Sequence, residues 1–425
     1  MSASAQADRT GLRALIDVGG LARGERRRLV SSVLLSAGAI GAAIALLATS
    51  GYLISRAAQR PQILALMVTI VAVRAFGLTR AGLRYAERLA SHDLALRQLA
   101  WLRVRFYESL APLLPGAVRR DSGDLLARFV GDVDTLSDLY LRTLIPALTA
   151  VVVIAGSSVA AWVIFPAAGA AVLGSLALAA LVLPWLSAHV ALRAGRRQAL
   201  VRARLLGEIV ETIDGTAELV MCDRAEQRVQ QLASTDAELS RLARGDAIAA
   251  SLATFLGGVL AGVGLLVVLL LGIAAVHSGT LSGVLLAALA FLFLASYESV
   301  LPLPGAARAL RACATAAARL QAICAEAPAV EDPAEPVRVS GSGVLRAHAV
   351  SLRYGPSEPL VLDRFELSIA PGERVAIVGP SGAGKSSLAE LLVRFRDPDA
   401  GSVTLDGIDV RELTQEQLRE AVLLC

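Results

Sequence analysis

Long runs without charge dominate the N-terminal part of this chain. No Asp, Glu, Lys or Arg occurs in Leu29–Ser55, in Thr143–Leu192 or in Ala247–Tyr297. A membrane-spanning helix needs about 20 predominantly apolar residues. The first run therefore predicts one span, and each longer run predicts a hairpin of two. Pro166 and the run Gly279–Thr280–Leu281–Ser282–Gly283 break the two hairpins. A further apolar stretch opens at Pro61, meets Arg74 and continues in helical period, which makes it the second span. The pattern predicts six spans, at about 29–55, 61–85, 143–165, 167–190, 249–276 and 281–303. Between them, Leu94–Arg105 and Ala199–Ala243 are rich in Leu, Ala, Arg and Glu and poor in breakers. They read as helical, so the membrane helices are expected to run on past the bilayer and return.

The pattern changes at Pro328. Residues 328–343 form a Pro- and acid-rich linker, and after it the chain reads as soluble α/β. Val344–Tyr354, Val361–Ile369 and Arg374–Val378 predict strands, a helix runs from Lys385 to about Arg394, and Val422–Leu424 predicts a last strand. The expected organisation is an amphipathic N-terminal segment 1–28, a membrane all-α domain 29–327, the linker, and an incomplete α/β P-loop domain 344–425. Two readings of the first segment stand, a helix along the inner membrane surface or a disordered tail.

Composition narrows the class. Hydrophobic residues make up 55% and charged residues 18%, against about 25% charged in an ordinary soluble domain. A wholly soluble enzyme and a disordered chain are both excluded. The 41 basic residues are nearly balanced by 37 acidic ones, so no nucleic-acid footprint stands out. Their placement is informative: six Arg fall in the first 28 residues, ten in 80–142 and nine in 193–244, while the turns near 166 and 279 carry none. The positive-inside rule puts both termini and both long loops in the cytoplasm. The run from Leu29 is too long for a signal peptide and lacks a small-residue cleavage pattern. Cys222, Cys313, Cys324 and Cys425 show no CxxC or metal spacing and read as reduced, buried thiols.

The candidate chemistry lies in Gly379–Pro380–Ser381–Gly382–Ala383–Gly384–Lys385–Ser386, which fits GxxxxGK[ST]. Glycines let backbone N–H groups turn inward around phosphate oxygens, and the helix after the loop presents its N-terminus to the same anion. Lys385, the one lysine of the chain, would reach the β- and γ-phosphates. Ser386 would hold Mg²⁺, and Ser387 closes the ATP-binding set. The plainer alternative is a Gly-rich turn that binds nothing.

Six spans with cytoplasmic extensions, a linker and this loop resemble a half-transporter of the ABC exporter family. Tyr354 stands where that family places an aromatic against adenine; its alternative is a strand residue packed in the core. Pro371–Gly372–Glu373 resembles the family's turn before the P-loop, and Asp399–Gly407 its strand and turn after the P-loop helix. In the membrane half, Leu47–Ala58, Val73–Gly77, Arg84–Asp93 and Gly131–Asp134 resemble the CydC side of the heterodimeric CydDC family. The resemblance implies ATP-driven export of cysteine and glutathione across a bacterial plasma membrane in support of cytochrome bd assembly. It also implies a CydD-like partner, and haem with His92 as candidate axial ligand. An exporter of lipid or drug, and a degenerate regulatory subunit, are the alternatives. The latter arises because no Walker B, signature motif or switch histidine follows Lys385, so no catalytic residue is assigned, and ATP turnover at the site this chain's own Walker B would build is not expected with or without a partner.

Two further residues carry double readings. Arg74, deep in the second span, is either a cavity group for substrate carboxylates or a side chain snorkelling to headgroups. His92 follows Arg80, Arg84 and Arg88 at four-residue spacing, and the stripe reads either as a solvated basic face or as part of a ligand site. Helix length from Pro61 places His92 about 47 Å along the helix, beyond the roughly 30 Å hydrocarbon core.

Overall fold

The structure is a computed structural model, and it describes residues 25–113, 131–338, 343–355 and 358–424. The expected amphipathic start therefore lies, except for its last four residues, outside the described residues. The chain divides into two compact units. The first takes the described residues up to Leu102 together with Gly131–Arg319. The second takes the described residues of Arg103–Val130 and of Leu320–Cys425.

Helices dominate the first unit. They are α1 (Glu25–Ala58), α2 (Leu64–Leu110), α3 (Gly131–Ile164), α4 (Pro166–Asp214), the short α5 (Thr216–Met221), α6 (Ala225–His277), α7 (Gly283–Tyr297) and α8 (Leu303–Cys324). α1, α2, α3, α6 and the first part of α4 are long and apolar enough to cross a membrane. The predicted sixth span is shorter than expected. α7 has 15 residues, about 22 Å of helix, and residues 298–302 form turns before the amphipathic α8. The helices also start elsewhere than the charges suggest: α1 begins at Glu25, ahead of Leu29, and α2 begins at Leu64 rather than Pro61. A charge marks where hydrocarbon ends, not where backbone hydrogen bonding ends. The expected continuation past the bilayer is present, since α2, α4 and α6 have 47, 49 and 53 residues.

α4 packs along α6, α1 along α7, and α3 against both α1 and α4. Their shared core includes Val153, Ala161, Val172, Leu176, Leu183, Val268, Leu289 and Phe293. Small residues make room for side chains here: a Cβ on Gly264 would lie 2.5 Å from Phe293 Cζ. Tyr297 donates to Gly257 O at 2.7 Å, fixing the end of α7 on α6. Leu139–Leu144 make a π-turn inside α3, which the sequence did not signal. Near the N-terminal end of α3, Asp132 takes a two-pronged ion pair from Arg319, and the Cys313 thiol donates to Thr135 O at 3.1 Å. Among the described residues the expectation of buried thiols holds for Cys313; Cys222, just past the end of α5, and Cys324, the last residue of α8, are exposed. Cys425 lies outside the described residues.

The second unit carries an antiparallel sheet of β1 (Leu345–Leu352), β2 (Leu362–Ile369), β3 (Ala400–Leu405) and β4 (Ile408–Asp409), in the order β2-β1-β3-β4. Helices α9 (Lys385–Leu392) and α10 (Gln415–Ala421) pack on it through Leu388, Leu391 and Leu418. Thr414 and Gln417 cap α10 reciprocally. Two predicted strands are absent. Arg374–Val378 is not in the sheet, and Val378 is 89% exposed. Val422–Leu424 likewise makes no ladder. Both runs have strand composition, but a strand exists only with a neighbour to receive its N–H and C=O groups. Among the described residues, neither run has one.

Candidate nucleotide site

Pro371 and Gly372 turn the chain after β2, with Glu373 accepting the Ala370 N–H at 2.7 Å. The chain then continues without regular secondary structure into Gly379–Ser386. Gly384 caps α9 in the left-handed region, at φ 87°. A Cβ there would lie 3.0 Å from Val361 O and 3.1 Å from Leu362 Cδ2, so glycine is required both for the conformation and for the approach to β2. No side chain caps α9, which leaves its first-turn N–H groups directed at the loop. The Lys385 ammonium folds back across that loop and donates to Gly379 O and Pro380 O, each at 2.8 Å. Residues 379–383 and Ser386 are exposed.

This arrangement fits the triphosphate of ATP. Exposed backbone donors, an uncapped helix N-terminus and a lysine held only by two carbonyls are what an anion's oxygens would engage. Mg²⁺ fits through Ser386 and the phosphates themselves. No group of three or more His, Cys, Asp or Glu suited to a metal occurs among the described residues, and Mg²⁺ commonly takes few protein ligands beside substrate phosphates. Bound ATP would supply a transferable phosphoryl group, and the residues here are those that would hold its phosphates.

Ser387 is buried, and its hydroxyl lies 2.8 Å from the Tyr354 hydroxyl. Tyr354, just past β1, also donates to Glu390 Oε2 at 3.2 Å. The structure thus ties the candidate base-stacking tyrosine to the phosphate-loop helix through two side chains of α9. The Arg396 guanidinium covers one face of the tyrosine ring. Glu390 and Arg396 escaped the sequence reading, since only a tertiary contact joins them to Tyr354.

Arg74 and His92 are both on α2, in the first unit, about 27 Å apart along the helix. Arg74 is exposed, on a helix whose apolar window buries none of its residues within the chain. Arg84 and Arg88 are exposed too. His92 is exposed, with Nδ1 2.9 Å from Arg88 O. It lies 28 residues from Leu64, about 42 Å along the helix and past the hydrocarbon core. A haem needs an enclosing apolar pocket as well as a ligand, and an exposed ring on a single helix face does not fit that need.

With this geometry in place, similarity to known proteins identifies the class. The family model for the ABC transporter transmembrane region matches residues 29–297, and the ABC transporter model matches residues 362–425. The chain belongs to the ABC transporter family. It is 28% identical over 416 residues, 97% of its length and 73% of the relative's, to the glutathione/L-cysteine transport system ATP-binding/permease protein CydC of Escherichia coli. It is 30% identical over 410 residues to the corresponding protein CydD of Bacillus subtilis, covering 93% of this chain and 69% of the relative. The chain spans between 61% and 73% of the length of such relatives. Its fold matches a bacterial Atm1-family ABC exporter with ATP bound, at TM-score 0.75 and 18% identity, over 93% of this chain and 70% of that one. The protein is a multi-pass membrane protein with an ATP-binding domain.

Proposed function

We propose that this chain is one subunit of a heterodimeric ABC exporter that moves cysteine and glutathione out of the cytoplasm. It pairs with a CydD-like subunit in the bacterial inner membrane, with both termini cytoplasmic, and so serves cytochrome bd assembly. The observation that carries the reading is similarity along nearly the whole chain to glutathione/L-cysteine transport proteins. Lys385, the N–H groups at the start of α9 and Ser386 hold Mg-ATP, and Tyr354 carries the base. Arg74 is the candidate cavity group for substrate carboxylates. Haem at His92 is not part of this proposal.

The test is uptake of labelled glutathione and cysteine into inside-out vesicles holding the chain with its CydD-like partner. Uptake should require ATP and vanish in Lys385→Ala. ATP-driven movement of a lipid or dye probe without movement of either thiol would overturn the substrate assignment.

A further inference from the structure

Arg396 follows α9 by four residues, and its side chain is only 18% exposed. Its Cζ lies 4.9 Å from the Tyr354 ring centroid, inside the range of about 6 Å over which a guanidinium is attracted to a ring face. Its nearest carboxylate is Glu390, with Nε 3.7 Å from Oε2. That distance is long for a charge-assisted hydrogen bond, which falls at about 2.7–2.9 Å. The guanidinium is therefore better placed for the ring than for the carboxylate. The same Glu390 oxygen accepts the Tyr354 hydroxyl, which also meets Ser387 Oγ. Ser387 and Glu390 stand one turn apart on α9. Tyr354 is thus held at its oxygen by the phosphate-loop helix and on one ring face by a cation from the segment that follows it.

We propose that Arg396 is a positioning residue for the nucleotide base: it backs the Tyr354 ring so that the ring stacks on adenine from its other side. This rests on the reading that Tyr354 carries the base. Two physical effects support it. The cation draws π density toward itself, which lessens repulsion between the negative faces of two stacked rings. It also fixes the ring before ATP arrives, so that less side-chain freedom is lost on binding. The role concerns the base, because Arg396 pairs with Glu390 and the Tyr354 ring, while the cation that donates to the Gly379–Ser386 loop is Lys385.

The experiment compares two probes on the full chain in nanodiscs, Mg-ATP and Mg-tripolyphosphate, the second having phosphates without a base. Arg396→Gln should weaken ATP about 3- to 10-fold, the range expected of one partly desolvated cation–π contact, and leave tripolyphosphate affinity unchanged. Arg396→Lys keeps a cation at the ring and should retain most of the ATP affinity. In a Tyr354→Ala background, Arg396→Gln should have no further effect. The proposal is overturned if Gln and Lys variants both weaken the two probes equally, if ATP affinity does not change, or if the effect persists without the tyrosine ring. Lys385→Ala reports on the underlying site separately: it should weaken both probes, and its failure to do so would remove the phosphate site whatever Arg396 does.

Discussion

Replacing Arg394 tests how the second unit is held together. α9 ends in a Schellman arrangement, with Phe395 N–H bonded to Glu390 O at 2.8 Å and Arg394 N–H to Leu391 O at 3.1 Å. The residue at its turn is normally glycine, yet here it is Arg394, at φ 51°. Its side chain explains the exception. Buried at 3% exposure, it donates to Leu413 O at 2.9 Å, to Glu331 O at 3.0 Å and to Asp397 at 3.1 Å. One side chain thus fastens the linker and the segment before α10 to the end of the phosphate-loop helix. Arg394→Ala strands those acceptors, each worth about 1–3 kcal/mol when left unpaired. With partial relief by water, about 3–5 kcal/mol should be lost. Arg394→Gly should lose less than Ala, by about 1 kcal/mol, because glycine accepts the left-handed backbone without the Cβ penalty. That order reverses the ordinary helix ranking. Hydrogen exchange of α9 and of the Val337 amide, which donates to Glu412 O at 2.9 Å, reads both effects. A loss below about 1 kcal/mol for Ala, or a Gly variant weaker than Ala, would refute the reasoning.

Other perturbations follow from the same geometry. Gly384→Ala must place a Cβ 3.0 Å from Val361 O at φ 87°; it should cost about 1–3 kcal/mol and weaken ATP binding, and a variant that melts and binds like the parent would contradict this. Thiol labelling at pH 8 with peptide mapping should mark exposed Cys222 first and leave Cys313 unmodified. Burial, with the Asp138 charge nearby, pushes the Cys313 thiol up to about 12, so it stays protonated far above the labelling pH; equal rates at the two cysteines would count against the packing around α8. Burial disfavours charged Asp409, but its bonds to Arg411 outweigh that and hold the carboxyl below its ordinary value. Its contribution is therefore present above the ordinary carboxylate range near 3.9 and lost only as pH falls through the lower folded value. Exchange protection around Val410–Leu413 should survive to below pH 4 and then fall, whereas in Asp409→Asn it should be weaker at every pH and lack that fall.

What the sequence revealed follows the range of the forces involved. Leu29–Ser55 was readable as a span because the bilayer imposes both length and composition on a single segment. Gly379–Ser386 was readable because left-handed turns and phosphate contact restrict residue type locally. Arg374–Val378 looked like a strand, since Val and Ile favour extended backbone, but pairing is a property of two segments and the run has no partner among the described residues. The turn after α9 was hidden because arginine stands where glycine would have marked it; the reason is a bond to Glu331, 63 residues earlier. Arg396 was missed likewise, its ring partner lying 42 residues away in β1's exit. α1 begins four residues before the charge-free run and α2 three residues after Pro61, because charge reports the edge of hydrocarbon rather than the end of a helix.

The loop around Lys385 is the proposed ATP site of this membrane protein. Equilibrium binding of Mg-ATP to the full chain in nanodiscs, with and without Lys385→Ala, tests it most directly. The parent should bind, and the variant, lacking the lysine ammonium that donates to Gly379 and Pro380, should lose at least about tenfold in affinity, the equivalent of one charge-assisted contact worth about 1.4 kcal/mol or more. Equal affinity in the two proteins would contradict it.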